Sequence, residues 1–186
     1  MAVVEEGIML PISELAIKIM PLKALIMDVD GVLTDGRVII DSNGVESKQF
    51  DVRDGHGLKM LQRSGLTLAL LTGRRSPVVG YRAAELGIEI VFQRCHDKLA
   101  AYHQIKQQLQ LEDSEIAYVG DDVIDIPVLR RVGFAATVAD ADPELEAHVD
   151  WQSSWPGGRG AVRELSQLIM QVQGTWDQAM ARYIDR

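Results

Sequence analysis

The sequence is short of cysteine, of basic residues and of long apolar runs, and each shortage removes a class of protein. One cysteine in 186 residues, Cys95, has no partner for an intrachain disulfide, which fits a reducing compartment such as the cytoplasm. No apolar stretch reaches the roughly 20 residues of a membrane-spanning helix. The first ten residues, MAVVEEGIML, have neither the basic region nor the small-residue cleavage site of a secretory signal. Lysine and arginine number 19 against 27 acidic residues, a net charge of −8, which argues against a dedicated nucleic-acid binder. A phosphate-bearing small molecule stays open, because a few local cations are enough to hold it. What is present, 47% hydrophobic and 25% charged, suits one soluble domain with a full core.

Residues 25–35, LIMDVDGVLTD, are the most informative stretch. Leu25-Ile26-Met27 reads as a buried parallel strand that ends in two aspartates two residues apart. Strand side chains repeat every second residue, so Asp28 and Asp30 can start on one side of the strand's carboxyl end, and Gly31 lets the chain turn away. Two carboxylates this close repel unless a cation or proton lies between them. Taken alone, the pair is equally well read as a solvated turn.

Around it the chain alternates strands and helices. Apolar positions 12, 15, 16 and 19 predict a short amphipathic helix over 11–20, covering the sheet edge or a neighbouring subunit. Two strand-like runs, 37–41 and 45–50, flank Ser42-Asn43-Gly44 and predict a hairpin, since Asn and Gly tolerate positive φ. Helices are expected at 58–61 onward, 77–86, 98–109, 128–132 and 161–172, and strands at 66–71, 88–92, 116–119, 134–138 and 149–151. Pro77 and Gly87 suit the start and stop of the second of these helices. Such alternation predicts an α/β, doubly wound (Rossmann-like) parallel sheet with helices on both faces. A single domain is expected over 1–186: core about 23–173, hairpin flap 37–50, helix 11–20 and tail 174–186 peripheral. Trp176, Met180 and Tyr183 fall at helical spacing in that tail.

In such a sheet all strand carboxyl ends lie on one edge. Asp28, Asp30, Thr72, Lys98, Asp121, Asp122 and Asp125 can therefore converge there. Several carboxylates in one crevice suit a hard divalent cation such as Mg²⁺, and a hydroxyl with a lysine beside it suits a phosphoryl group.

DVDGVLTD (28–35), Thr72, Lys98 and GDDVID (120–125) together resemble the four motifs of the haloacid dehalogenase superfamily of phosphotransferases. The resemblance implies that Asp28 is a nucleophile forming an aspartyl-phosphate and that Asp30 is its acid/base partner. It implies that Thr72 binds a phosphoryl oxygen, that Lys98 offsets charge, and that Mg²⁺ is held by Asp28, the Asp30 carbonyl and Asp121. Asp122 and Asp125 would orient Lys98 and metal-bound water. The hairpin, FDVRDGHG (50–57), TGR (72–74), DKLAAY (97–102), YVGDDVIDIPV (118–128) and GGRGAVRE (157–164) are similar to a capless subgroup acting on sugar-acid phosphates. That subgroup implies a homotetramer in which a neighbour's C-terminal segment closes the site. Substrate contacts are implied for Asp30, Asp51, Val52, Arg53, Asp54, Gly55, Lys59, Arg74, Arg82 and Lys98, with support from Gly73 and Arg159. Arg74 or Arg82 would pair the sugar's carboxylate.

The expected activity is hydrolysis of an eight-carbon sugar-acid phosphate in lipopolysaccharide precursor synthesis. A nine-carbon sugar-acid phosphate is the alternative substrate. A receiver-like phospho-aspartate module and an inactive tetrameric scaffold are the non-enzyme alternatives. Cys95-His96, His103 and His148 read as surface residues, His56 as a packing or substrate residue, and the three tryptophans as core or interface.

Overall fold

A computed structural model describes residues 12–184; Pro11 and the preceding residues, with 185–186, lie outside it. Helix α1 (Ile12–Ile19) leads into strand β1 (Ala24–Met27), followed by a two-stranded hairpin, β2 (Ile39–Ile40) and β3 (Glu46–Ser47). Then come α2 (Val52–Arg63), β4 (Thr67–Leu71), α3 (Pro77–Leu86), β5 (Ile90–Phe92), α4 (Lys98–Leu109) and β6 (Ile116–Gly120). The chain ends in α5 (Ile126–Leu129), β7 (Phe134–Thr137), β8 (Trp151–Gln152), α6 (Ala161–Val172) and α7 (Trp176–Ile184).

Six strands form one sheet in the order β5-β4-β1-β6-β7-β8, and every pairing is parallel. This is the doubly wound sheet expected. β1 sits inside it, with Met27 level with Leu70 and Val119, so the residues that follow β1, β4 and β6 emerge side by side.

The strand alternation divides the core in two. Leu25 and Met27 join Leu58, Leu61, Leu165 and Ile169 under α2 and α6, while Ala24 and Ile26 join Tyr102, Ile105, Val128 and Leu129 under α4 and α5. α1 adds Leu15 and Ile19 to the first layer and touches α6. Its Lys18 pairs with Asp150 at 2.6 Å, beside the edge strand β8.

Two local expectations change. The hairpin ladder is only two residues per strand. Gly44 alone takes positive φ in its turn, at +77°, while Asp41 Oδ1 accepts the N–H groups of Asn43 and Val45 at 2.8 Å. A carboxylate therefore closes the turn that two positive-φ residues were expected to close. No cap domain interrupts the described residues, and the hairpin is the sole β insertion between β1 and α2.

Candidate active site

The site begins where β1 stops. Asp28 N–H still donates to Val119 O on the neighbouring strand at 3.0 Å. The chain then wraps round a single carbonyl: Val32, Leu33 and Thr34 all donate to Val29 O, at 3.3, 2.9 and 3.1 Å. Gly31 has φ +92°, and a Cβ there would stand 1.9 Å from Asp121 Oδ2. Only glycine meets both conditions, so Gly31 is what admits Asp121 to the side of Asp28.

Lys98, the first residue of α4, is buried between two carboxylates. Its Nζ donates to Asp28 Oδ2 at 2.7 Å and to Asp125 Oδ1 at 2.6 Å. Asp125 is fully used: Oδ1 also accepts from Tyr118 OH, and Oδ2 accepts the N–H groups of Asp121 and Asp122 at 3.1 and 3.2 Å. It anchors the lysine and fixes the turn that carries Asp121. Burial works against charge on Lys98, but the two carboxylates prevail and hold its ammonium above the usual lysine range. Burial pushes the Asp28 carboxyl up, and Lys98 pulls it back.

Asp121 makes no hydrogen bond to Lys98, whose charge relieves it only in part. Its Oδ1 is buried with no hydrogen-bond partner. Burial, then the charges of Asp28 and Asp125, push its carboxyl up to about 8. Asp28, Asp121 and Asp125 each bring an oxygen within 4.8 Å of the others. Three carboxylates thus face one ammonium, and the unsatisfied oxygen is on Asp121. With the Asp125 oxygens occupied, Asp28 and Asp121 are the pair with capacity for a hard cation. Asp122 is exposed and turns to its own helix start, accepting from Val123 N–H at 2.7 Å.

Thr72 follows β4 and is 2% exposed; its Oγ1 accepts from Arg74 N–H at 3.3 Å, which leaves the hydroxyl proton to donate. Asp30 lies toward the hairpin. Its Oδ1 accepts from Lys48 Nζ, and its Oδ2 is buried, has no hydrogen-bond partner and lies 3.8 Å from Arg74 Nε. Arg74 Nη2 also donates to Glu46 Oε1 at 3.2 Å. Sequence reasoning treated the hairpin as a flap and passed over Glu46 and Lys48. The signal was available: two opposite charges two residues apart in a strand share one face.

The remaining expected substrate residues divide. Asp51 is the N-cap of α2, accepting from Arg53 and Asp54 N–H at 2.6 and 3.3 Å, and Val52 and Arg53 are exposed beside it. Asp54 is buried and caps another helix: its oxygens accept Gly160 N–H at 3.2 Å and Arg163 N–H at 2.7 Å, at the start of α6. One donor on each oxygen gives Asp54 a structural role at the start of α6, and it lines a small pocket with Asp51, Gly55 and Arg82. Lys59 is half-buried on α2, and its Nζ lies 3.1 Å from the Cβ position of Gly87, just past the end of α3. Arg82 lies over the Phe50 ring at 5.5 Å, donates to Asp51 O at 3.4 Å and pairs with Glu85 at 2.8 Å. Gly55 makes room for it. Of the two arginines, Arg74 is the one beside Asp30.

The Gly157-Gly158 loop packs on the loop after β1. Gly158 N–H donates to Val32 O at 2.9 Å, and a Cβ on Gly157 would stand 1.7 Å from Gly31 O. Arg159 is exposed, 4.0 Å from Asp35. Gly73 faces Cys95 O. His56 does not face the catalytic carboxylates: it is exposed and meets Tyr183 OH of α7 at 2.8 Å. Trp151 is core, Trp155 is exposed and Trp176 packs partly against the core.

With this geometry in hand, comparison with known proteins is direct. A family model of haloacid dehalogenase-like hydrolases matches residues 51–133. The chain is 42% identical over 163 residues to the 3-deoxy-D-manno-octulosonate 8-phosphate phosphatase KdsC of Escherichia coli K12, covering 88% of this chain and 87% of that one. The corresponding enzyme of Yersinia pestis is 44% identical over 152 residues, 82% and 81% of the two chains. A solved structure of the Moraxella catarrhalis enzyme, in complex with magnesium, phosphate and KDO, superposes with a TM-score of 0.90 at 41% identity. It covers 92% of this chain and 98% of the other.

Proposed function

Because the chain belongs to the haloacid dehalogenase-like hydrolases, and among them is a phosphoric monoester hydrolase, we propose that it hydrolyses 3-deoxy-D-manno-octulosonate 8-phosphate. The products are the free sugar acid and inorganic phosphate, in lipopolysaccharide precursor synthesis. The observation that carries this reading is the buried Asp28–Lys98–Asp125 array with the unsatisfied Asp121 oxygen beside it. Similarity to the enterobacterial phosphatases over most of both chains supports the choice of sugar.

In the first step an Asp28 oxygen attacks phosphorus, the phosphorus–O8 ester bond breaks, and the departing sugar oxygen takes a proton from Asp30. In the second step Asp30 takes a proton from water, the water oxygen attacks phosphorus, and the Asp28–phosphorus bond breaks. Lys98 holds the Asp28 carboxylate in place at 2.7 Å and stays charged between its two partners, so it does not compete as a proton donor. Thr72 donates to a phosphoryl oxygen. Arg74, half exposed at the mouth of the site, is the guanidinium we assign to the sugar's carboxylate.

The donor set fits Mg²⁺: hard carboxylate oxygens, one of them buried and unpartnered. Asp28, Asp121 and the Asp30 carbonyl would hold the ion, which when bound supplies positive charge that lets an anionic nucleophile meet an anionic phosphate. We assign the protein to the cytoplasm, on its single cysteine, and to a homotetramer in which a neighbour helps close a site that has no cap. Sedimentation as a fully active monomer would sink the oligomer assignment.

The test is a phosphate-release assay with and without Mg²⁺ on the eight-carbon substrate and on a nine-carbon sialic acid 9-phosphate. The eight-carbon ester should have the higher kcat/KM, and Asp28→Asn should abolish turnover. A preference for the nine-carbon ester would reassign the substrate, and turnover by Asp28→Asn near the wild-type rate would remove the nucleophile.

A further inference from the structure

We propose that Lys48, carried by the hairpin, is a positioning residue for Asp30: it pins one carboxyl oxygen so that the other is left to exchange a proton with the sugar oxygen. The inference rests on the acid/base role given to Asp30 above and adds a residue to it.

The geometry separates the two oxygens of Asp30. Oδ1 is bound by the Lys48 ammonium, whose side chain is only 1% exposed. Oδ2 is buried with no hydrogen-bond partner. A carboxyl that must give up a proton to one arriving atom, and later take one from water, works from a single free oxygen with the other held. Rotation about the Cβ–Cγ bond would otherwise average the two. Lys48 is held in turn, since Glu46 Oε1 lies 3.5 Å from its Nζ and 3.2 Å from Arg74 Nη2. Lys48 directly follows β3, which ends at Ser47, and its ammonium meets both Asp30 in the loop after β1 and Glu46 on β3. The hairpin thus contributes a cation to the reacting end of the substrate, besides whatever it contributes to selectivity.

A buried Lys–Asp pair can also serve only to fasten the hairpin, so the test must separate positioning from fastening. Departure of the sugar's primary alcohol requires a proton; departure of 4-nitrophenolate does not. Both esters meet the same nucleophile, and kcat/KM reports the step in which the leaving group departs. With Lys48→Met, kcat/KM on the sugar-acid phosphate should fall about 10- to 100-fold, part of the roughly 10²- to 10⁴-fold that a positioned acid supplies. On 4-nitrophenyl phosphate it should fall less than about threefold. Lys48→Arg, which keeps the charge and the donors, should recover much of the loss. The ratio of the two kcat/KM values is internal to each preparation, so partial misfolding of a variant cancels from it.

An equal loss on both esters, or none on either, would overturn the proposal, the first outcome making Lys48 a phosphate ligand or a fastener. If the wild-type protein turns over neither ester, it is the phosphatase reading that fails. If the wild type is active and Asp28→Asn is not, an unchanged ratio in Lys48→Met removes the Lys48 inference alone.

Discussion

Asp121→Asn should make the metal-free protein more stable while removing the binding of the metal. One Asp121 oxygen is buried without a hydrogen-bond partner. Asp121 shares a buried crevice with Asp28 and Asp125, oxygens within 4.8 Å, and the one ammonium there is already bonded to the other two. Two unit charges at that separation repel by about 3 kcal/mol at an effective dielectric constant near 20. Lys98 offsets part of this, so a realised gain of about 1–2 kcal/mol is expected from the neutral amide. For a chain of this size that raises Tm by several degrees, at roughly 2–4 °C per kcal/mol.

The pH dependence has a definite sign. The folded-state carboxyl of Asp121 is raised to about 8 from the ordinary aspartate value of 3.8. The folded protein therefore holds this proton more tightly than the unfolded chain, and the penalty for the carboxylate is absent below about pH 4. It grows as pH rises and is complete above about 8. The Tm advantage of Asp121→Asn without metal should accordingly widen between pH 5 and pH 8. Millimolar Mg²⁺ should raise the wild-type Tm and leave the variant's unchanged, since the ion binds only where it is compensated by that carboxylate. Differential scanning calorimetry in chelator and in Mg²⁺ at three pH values reads all of this. A variant less stable than wild type in chelator across that range would show that Asp121 is satisfied, and the case for a metal ligand would lose its physical basis.

Two further outcomes follow from buried partners. Lys98→Met leaves Asp28 and Asp125 facing each other without a counter-charge, and should cost about 3–5 kcal/mol in chemical denaturation along with turnover; a loss under 1 kcal/mol would mean that the pair relaxes into water. Asp54→Asn weakens the cap on α6 and should lower Tm by a few degrees, from about 1 kcal/mol, with KM unchanged; a raised KM would return Asp54 to the substrate.

The sheet was legible because its signals are local. Continuous apolar runs such as residues 67–71 and 116–119 can only be buried strands between helices, and Pro77 with Gly87 marks a helix to the residue. The candidate site was legible for a topological reason: parallel strands send every carboxyl end to one edge, so the residues that follow β1, β4 and β6, Asp28, Thr72 and Asp121, share that edge. Long charged side chains were not legible. Lys59 and Arg82 sit on helices that border the site, but several rotatable bonds let Lys59 reach Gly87 and Arg82 reach the Asp51 carbonyl. Asp54 stands beside a true site loop, yet its partners are backbone groups more than 100 residues away. No pattern within α2 carries that information. Lys48 shows the converse, a residue in a segment read only as a flap whose partner is 18 positions back across a turn.

The distribution of charge divides the crevice into a fixed half and a looser one. The Asp28 side is overdetermined: Asp28 is fixed by Lys98, Lys98 by Asp125, and Asp125 by Tyr118 and two backbone N–H groups. None of these can move without uncovering a buried charge, so that half arrives preorganised. The Asp30 side is held by Lys48 and flanked by Arg74, and both are tied to Glu46 on a two-residue ladder. A substrate that brings its own carboxylate can replace Glu46 as the partner of Arg74, and one that lacks a carboxylate cannot. On the proposed function, the fixed half sets the chemistry, and exchange of partners on the weakly held half would let the site recognise a sugar acid without a lid.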